Sequence, residues 1–380
     1  MMISRRNFLA VAGAAAAAAA LTACGGSSSS TASSAAASTS AAASTAEGGE
    51  KIVKVALTCD TGTIDDESFN QACWTAVSGY MGDDCQYYIP EADASDEDRE
   101  TMIRQAVNDG AEVIVCVGYL YGASLAWAAE QYPDVKFIAI DVTQGDIGTD
   151  EIPSNCYCIT FKEEQAGYLA GYAIAKDGKT KLGFLGGMAV PAVIRYGYGF
   201  VQGADAAAAA KGVKVEMNYS WLYGASFQAS NELQTMAAGW YQNGTEVIFA
   251  CGGSMFQSVA AAASAEDASV IGVDVDQSFE SDTVITSAMK GIGQAAETAL
   301  EAAESDDTWN AFIGDGATTI TLGAKDNAVG LPTATWSLNG WTVEEYEQML
   351  ADIVAGKVVI DGSDVPEPAS TDNVTVNIVK

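Results

Sequence analysis

The chain has 380 residues, a mass of 39.2 kDa and a net charge of −32, from 50 acidic and 18 basic residues with no histidine. That length exceeds what one hydrophobic core serves and predicts two lobes. The acidity argues against nucleic acid and an anionic membrane surface as direct partners. The lack of histidine removes His-based triads, His general bases and His-ligated metals, and with no G-x-S-x-G pattern the chain leans away from an enzyme.

Met1 to Cys24 has the layout of a signal peptide: Arg5 and Arg6, then an Ala-rich apolar run. Ser4-Arg5-Arg6-Asn7-Phe8-Leu9 resembles a twin-arginine export signal, and Leu21-Thr22-Ala23-Cys24 before Gly25 resembles a bacterial lipoprotein cleavage box. The second resemblance implies that Cys24 becomes the lipid-bearing first residue, on the outer face of the cytoplasmic membrane. Residues 25–50 are almost wholly Gly, Ser, Ala and Thr, a composition expected of a tether. The other seven cysteines cannot all pair within the chain. Most lie in apolar runs and read as small buried hydrophobes. Cys156 and Cys158 are expected on opposite faces of a strand, a poor arrangement for a shared metal, and no metal or cofactor is expected.

From Lys51 onward, short β-branched runs alternate with helical patterns. Ile52 to Thr58 reads as a strand, Glu67 to Tyr80 as a helix, Glu112 to Val117 as a strand, Ala123 to Gln131 as a helix and Val135 to Ile140 as a strand. This alternation predicts parallel sheets covered by helices. Thr63 and Asp66 stand at capping-box spacing, so Asp65 and Asp66 read as charge at a helix N-terminus. Tyr121, Trp127 and Tyr132 read as packing residues, and Pro191 as the opening of a helix.

The grammar then repeats. Asn108-Asp109-Gly110-Ala111-Glu112-Val113-Ile114 resembles Gln242-Asn243-Gly244-Thr245-Glu246-Val247-Ile248. Glu112 lies 29 residues before Asp141, and Glu246 lies 28 before Asp274. Two similar α/β lobes follow. Open parallel sheets bind ligands beyond the carboxyl ends of their strands. Asp60, Asp141 and Asp274 fall at such ends, with Gly118 and Gly252-Gly253 in comparable turns. Facing strand ends make a cleft whose carboxylates accept hydrogen bonds from hydroxyls or amines. Phe69 beside Asn70 offers a flat ring next to an amide, a pairing suited to a planar heterocycle.

Asp60-Thr61-Gly62-Thr63-Ile64-Asp65-Asp66-Glu67-Ser68-Phe69-Asn70 resembles the D-x-G-x-x-D-D-x-S-F-N signature of the basic membrane protein family of bacterial lipoproteins. Val117-Gly118-Tyr119, Glu164-Gln165-Ala166-Gly167-Tyr168, Gly183-Phe184-Leu185-Gly186-Gly187, Ala225-Ser226-Phe227 and Gly272-Val273-Asp274-Val275-Asp276-Gln277 extend the likeness. It implies a type I periplasmic-binding-protein fold: α/β, two doubly wound parallel-sheet lobes joined by a three-strand hinge around a ligand cleft. The expected boundaries are 51–160 plus about 286–316 for the first lobe, and 161–285 plus about 317–380 for the second. The implied function is an extracytoplasmic solute-binding lipoprotein of an ABC importer, with a purine nucleoside as ligand and a permease and ATPase as partners. By resemblance, Phe69 and Phe227 stack on the base. Asp60, Asn70 and Asp141 supply polar contacts from the first lobe. Gly253 and Asp274 contact ligand from the second, Asp274 at the ribose hydroxyls, and Lys290 is a basic residue at the cleft edge. The same fold with a sugar, riboflavin or signalling ligand, or a sensing lipoprotein without a transporter, is the alternative. The acidity departs from the family's basic members, and Trp221-Leu222-Tyr223 adds aromatics beside Phe227.

Overall fold

Residues 52, 54–91, 93–314 and 319–380 are described by the computed structural model. The expected signal peptide, the tether and Cys24 lie outside them. Among the described residues no helix is long and apolar enough to cross a membrane.

The first sheet takes β1 (Val55–Cys59), β2 (Cys85–Tyr88), β3 (Val113–Val117), β4 (Lys136–Ile140), β5 (Cys156–Phe161) and β11 (Ile320–Leu322). Their order is β11-β5-β4-β3-β1-β2, and every pair is parallel. Side chains alternate between two buried faces. Val113, Val115 and Val117 share a core with Cys73 and Val77 of α1 (Phe69–Met81) and Ala299 and Leu300 of α9 (Ile292–Ala303). Ile114 and Cys116 turn to the opposite layer, under α2 (Asp96–Asn108) and α3 (Gly122–Gln131). A strand buried on both faces reads as an unbroken apolar run, which is why these segments were legible.

The second sheet takes β6 (Lys181–Gly186), β7 (Val215–Ser220), β8 (Val247–Cys251), β9 (Ser269–Asp274), β10 (Val284–Lys290), β12 (Val329–Gly330) and β13 (Val374–Val379). The order is β12-β10-β9-β8-β6-β7-β13, parallel except for the β10–β12 pair. The repeat noted in the sequence corresponds to β3 and β8, and its two aspartates follow β4 and close β9. Helices α5 (Glu163–Lys176) and α6 (Pro191–Lys211) pack at backbone distance. A Cβ on Gly167 would lie 2.1 Å from the Tyr196 carbonyl oxygen, and one on Gly199 would lie 2.2 Å from that of Glu164. This close approach brings Glu163 and Arg195 together across the two helices.

The chain passes between the sheets three times: after β5, after β10 and after β11. The lobe boundaries differ from the sequence expectation at two places. Residues 286–290 belong to the second sheet, because β10 pairs with β9 up to Met289 opposite Asp274. Residues 320–322 return to the first sheet, because β11 pairs with β5. Both strands are short and flank the crossings, so apolar pattern alone does not say which sheet accepts their hydrogen bonds.

Two local expectations change as well. Cys156 and Cys158 share a face, as residues two apart on a strand must, and both pack with Cys116. Helix α1 begins at Phe69 rather than Glu67, and Asp66 itself satisfies its N-terminus. The Asp66 carboxylate accepts the backbone N–H groups of Ser68, Asn70 and Gln71, each at 3.0 Å. Tyr121, Trp127 and Tyr132 are packing residues: the Tyr121 hydroxyl donates to the Cys59 carbonyl, and Trp127 meets Tyr132 edge-on.

Candidate functional site

The carboxyl ends of β1, β3, β4, β6, β8, β9 and β10 surround one cavity of about 940 Å3, its open mouth included. Asp60, Phe69, Asn70, Asp141, Phe227, Gly253, Asp274 and Lys290, the residues singled out in the sequence, all line it. Each arrives by a local device. Asp60 follows β1 and is held by the Leu120 N–H at 3.0 Å. Gly118 makes room for it: at φ +116° a Cβ there would sit 2.1 Å from the Asp60 carboxyl. Asn70 is on the first turn of α1. Its Nδ2 donates to the Thr61 carbonyl at 2.9 Å.

Asp141 and Asp274 both adopt left-handed backbone, φ 60° and 68°, where β4 and β9 end. Asp tolerates this conformation better than most residues. Phe227 is also left-handed, at φ 56°, and its ring lies where a Cβ on Gly187 or Gly252 would be. Strained residues cluster where a fold holds a functional geometry.

The electrostatics are dominated by burial. Burial pushes the Asp60 carboxyl up to about 7, against the opposing Leu120 N–H and the Arg99 guanidinium. Burial raises Asp66 to about 6, against its three N–H donors. Asp274 is raised by burial and drawn back by Lys290 and by the Ser68 hydroxyl. Lys290 is not the edge residue the resemblance implied, because its side chain is only 3% exposed. Its Nζ lies 2.5 Å from Asp141 Oδ2, 3.6 Å from Glu163 Oε1 and 3.8 Å from Asp274 Oδ1. It also stands 4.6 Å from the centre of the Phe69 ring. Burial would lower the ammonium's pKa, and the three carboxylates outweigh it and hold the charge.

Glu163, Arg195 and Tyr196 were not anticipated as part of this arrangement. Arg195 Nε donates to Glu163 Oε2 at 2.9 Å, and the Tyr196 hydroxyl donates to Asp274 Oδ1 at 3.4 Å. The one available signal was the position of Glu163 two residues after β5, where the chain leaves the first lobe.

The lobes touch around the cavity. Ser68 Oγ donates to Asp274 Oδ2 at 2.7 Å, and Gln277 Nε2 donates to the Glu67 carbonyl at 2.9 Å. Two buried acceptors on the wall, Asn70 Oδ1 and Asp141 Oδ1, have no hydrogen-bond donor among the described residues. A buried acceptor left unmatched costs about 1–3 kcal/mol. The site therefore suits a ligand that brings N–H or O–H donors and a flat apolar face. Among the described residues no group of His, Cys, Asp and Glu has the arrangement of a metal site.

Two lobes, three crossings and a cleft at the strand ends define the type I periplasmic-binding-protein fold. The family model described as Bmp, ABC transporter substrate-binding protein PnrA-like, matches residues 52–364. The chain belongs to this family of ABC transporter substrate-binding proteins. It is 27% identical over 336 residues to the ABC transporter nucleoside-binding protein BmpA of Lactococcus lactis subsp. cremoris, covering 81% of this chain and 89% of that one. It is 31% identical to Basic membrane protein B of Borrelia garinii subsp. bavariensis, covering 76% and 83%. An ABC transporter solute-binding protein from Aeropyrum pernix K1 shares the fold, with a TM-score of 0.67 at 22% identity, over 82% of this chain and 94% of that one.

Proposed function

We propose that the chain captures a purine nucleoside outside the cytoplasm for an ABC importer, held to the membrane by lipid on Cys24. The observation that carries the ligand is that Phe69 and Phe227, one from each lobe, line the cavity beside buried acceptors that have no donor among the described residues. A nucleoside supplies both counterparts: a planar base and several N–H and O–H donors. The name of the Lactococcus relative supports the same class.

The base stacks between the two rings, and Asp60 and Asn70 Oδ1 accept from its edge. Asp274 and Asp141 accept from the ribose hydroxyls. The Ser68 bond to Asp274 does not block this, because a carboxylate oxygen accepts more than one donor. Closing the lobes strengthens each contact by excluding water, and closure is what a permease can distinguish. Titration calorimetry with inosine, guanosine and adenosine tests the ligand: saturable heat is expected from nucleosides, and its absence from all three sinks the assignment. Fatty-acid labelling that survives Cys24→Ser would reject the anchor.

A further inference from the structure

Glu163 does not line the cavity, yet it is fully buried at the first residue of α5, directly after the first crossing. Lys290 is the last residue of β10, directly before the second crossing. Their charges meet at 3.6 Å. Around the ammonium the carboxylates divide by lobe. Asp274, on the neighbouring strand of the second sheet, moves with Lys290. Glu163 is tied by Arg195 to α6, which packs in that same lobe. Asp141 belongs to the first lobe.

Opening the cleft therefore separates Lys290 from Asp141 and leaves it with Asp274 and Glu163. A buried ammonium without adequate compensation is strongly unfavourable. Whatever the second lobe supplies thus decides how much the ammonium needs Asp141. We propose that Glu163 is a positioning residue that sets the balance between open and closed cleft by competing with Asp141 for Lys290. Its charge makes the open arrangement tolerable, so the protein can release what it binds.

The direction of the effect follows. Glu163→Gln leaves Lys290 more dependent on Asp141 and favours closure, whereas a merely structural role would loosen the hinge. Amide exchange of the ligand-free protein reads this without a ligand, so its outcome is separate from that of the nucleoside assignment. The peptides to follow are 65–71 and 273–279, which carry the inter-lobe bonds of Ser68 and Gln277. In Glu163→Gln they should exchange more slowly than in the parent, by about 2- to 30-fold. In Glu163→Gln combined with Lys290→Gln the slowing should vanish. Unchanged or faster exchange in the single variant overturns the proposal, as does slowing that persists without Lys290. Should Glu163→Gln fail to fold, Glu163→Asp retracts the carboxylate while keeping its charge. It is expected to slow the same peptides to a smaller degree, and unchanged or faster exchange there overturns the proposal equally.

Discussion

Asp141 and Asp274 occupy equivalent left-handed positions where β4 and β9 end, and both face the ammonium of Lys290, at 2.5 and 3.8 Å. An internal repeat has thus placed one carboxylate from each lobe against a single buried cation at the cavity wall. The arrangement ties the cavity wall to the hinge, because two carboxylates that line the cavity also neutralise the ammonium at the end of β10.

Stacking makes the first prediction. Aromatic stacking on a base contributes about 1–3 kcal/mol by alanine substitution. Phe69→Ala and Phe227→Ala should each weaken nucleoside binding by roughly 5- to 150-fold in calorimetry. Phe227→Ala should also loosen the turn that its ring fills between Gly187 and Gly252. Wild-type affinity in both variants would show that these rings are packing residues.

Stability should depend on pH in a defined sense. The Asp60 carboxyl is raised from 3.8 to about 7 in the folded chain. Between about pH 4 and 7 the folded state therefore holds a proton at Asp60 that the unfolded state has lost, so its contribution to stability falls as pH rises through that window. Asp60→Asn removes the contribution. Its melting temperature should exceed that of the parent at pH 8, by an equivalent of up to ~4 kcal/mol, and converge with it near pH 4.5. Equal pH slopes for the two proteins would show that the buried carboxyl does not titrate in this range.

Charge sets the third expectation. Asp60, Asp66, Asp141, Asp146 and Asp274 line the cavity against Arg195 and Lys290, and both cations are already paired with carboxylates. A phosphate on the ligand would be buried without a partner. Nucleoside 5′-monophosphates should bind ~100-fold more weakly than the nucleosides, or worse. Comparable affinity in a competition titration would place a phosphate-accepting group in the cleft.

Much of this was legible in the sequence, for physical reasons. β3 and β8 are buried on both faces, so their apolar runs and the Asp109-Gly110 and Asn243-Gly244 turns before them stand out. The aspartates at the strand ends could be found because the repeat places them at nearly equal spacing. What could not be read depends on three-dimensional neighbours. β10 and β11 are told apart only by which sheet edge accepts them. The burial of Lys290 depends on three carboxylates that lie far apart in the chain. Glu163 and Arg195 meet only because Gly167 and Gly199 let α5 and α6 come to backbone contact. The C-terminal strand β13 extends the second sheet beside β7, and the loop before it reaches back to pair Asp364 with Arg195 at 3.3 Å.

The most direct test of the central claim is a thermal-shift comparison of the protein and its Asp274→Ala variant, both freed of carried-over ligand. The panel holds purine nucleosides, free purine bases, sugars and riboflavin. A ligand at about 100 times its dissociation constant adds roughly 2.7 kcal/mol to stability, a readily measured shift. Stabilisation by a purine nucleoside, little or none by the free bases, and its loss in Asp274→Ala is the predicted result. Stabilisation by a sugar or riboflavin with none from any nucleoside would contradict it.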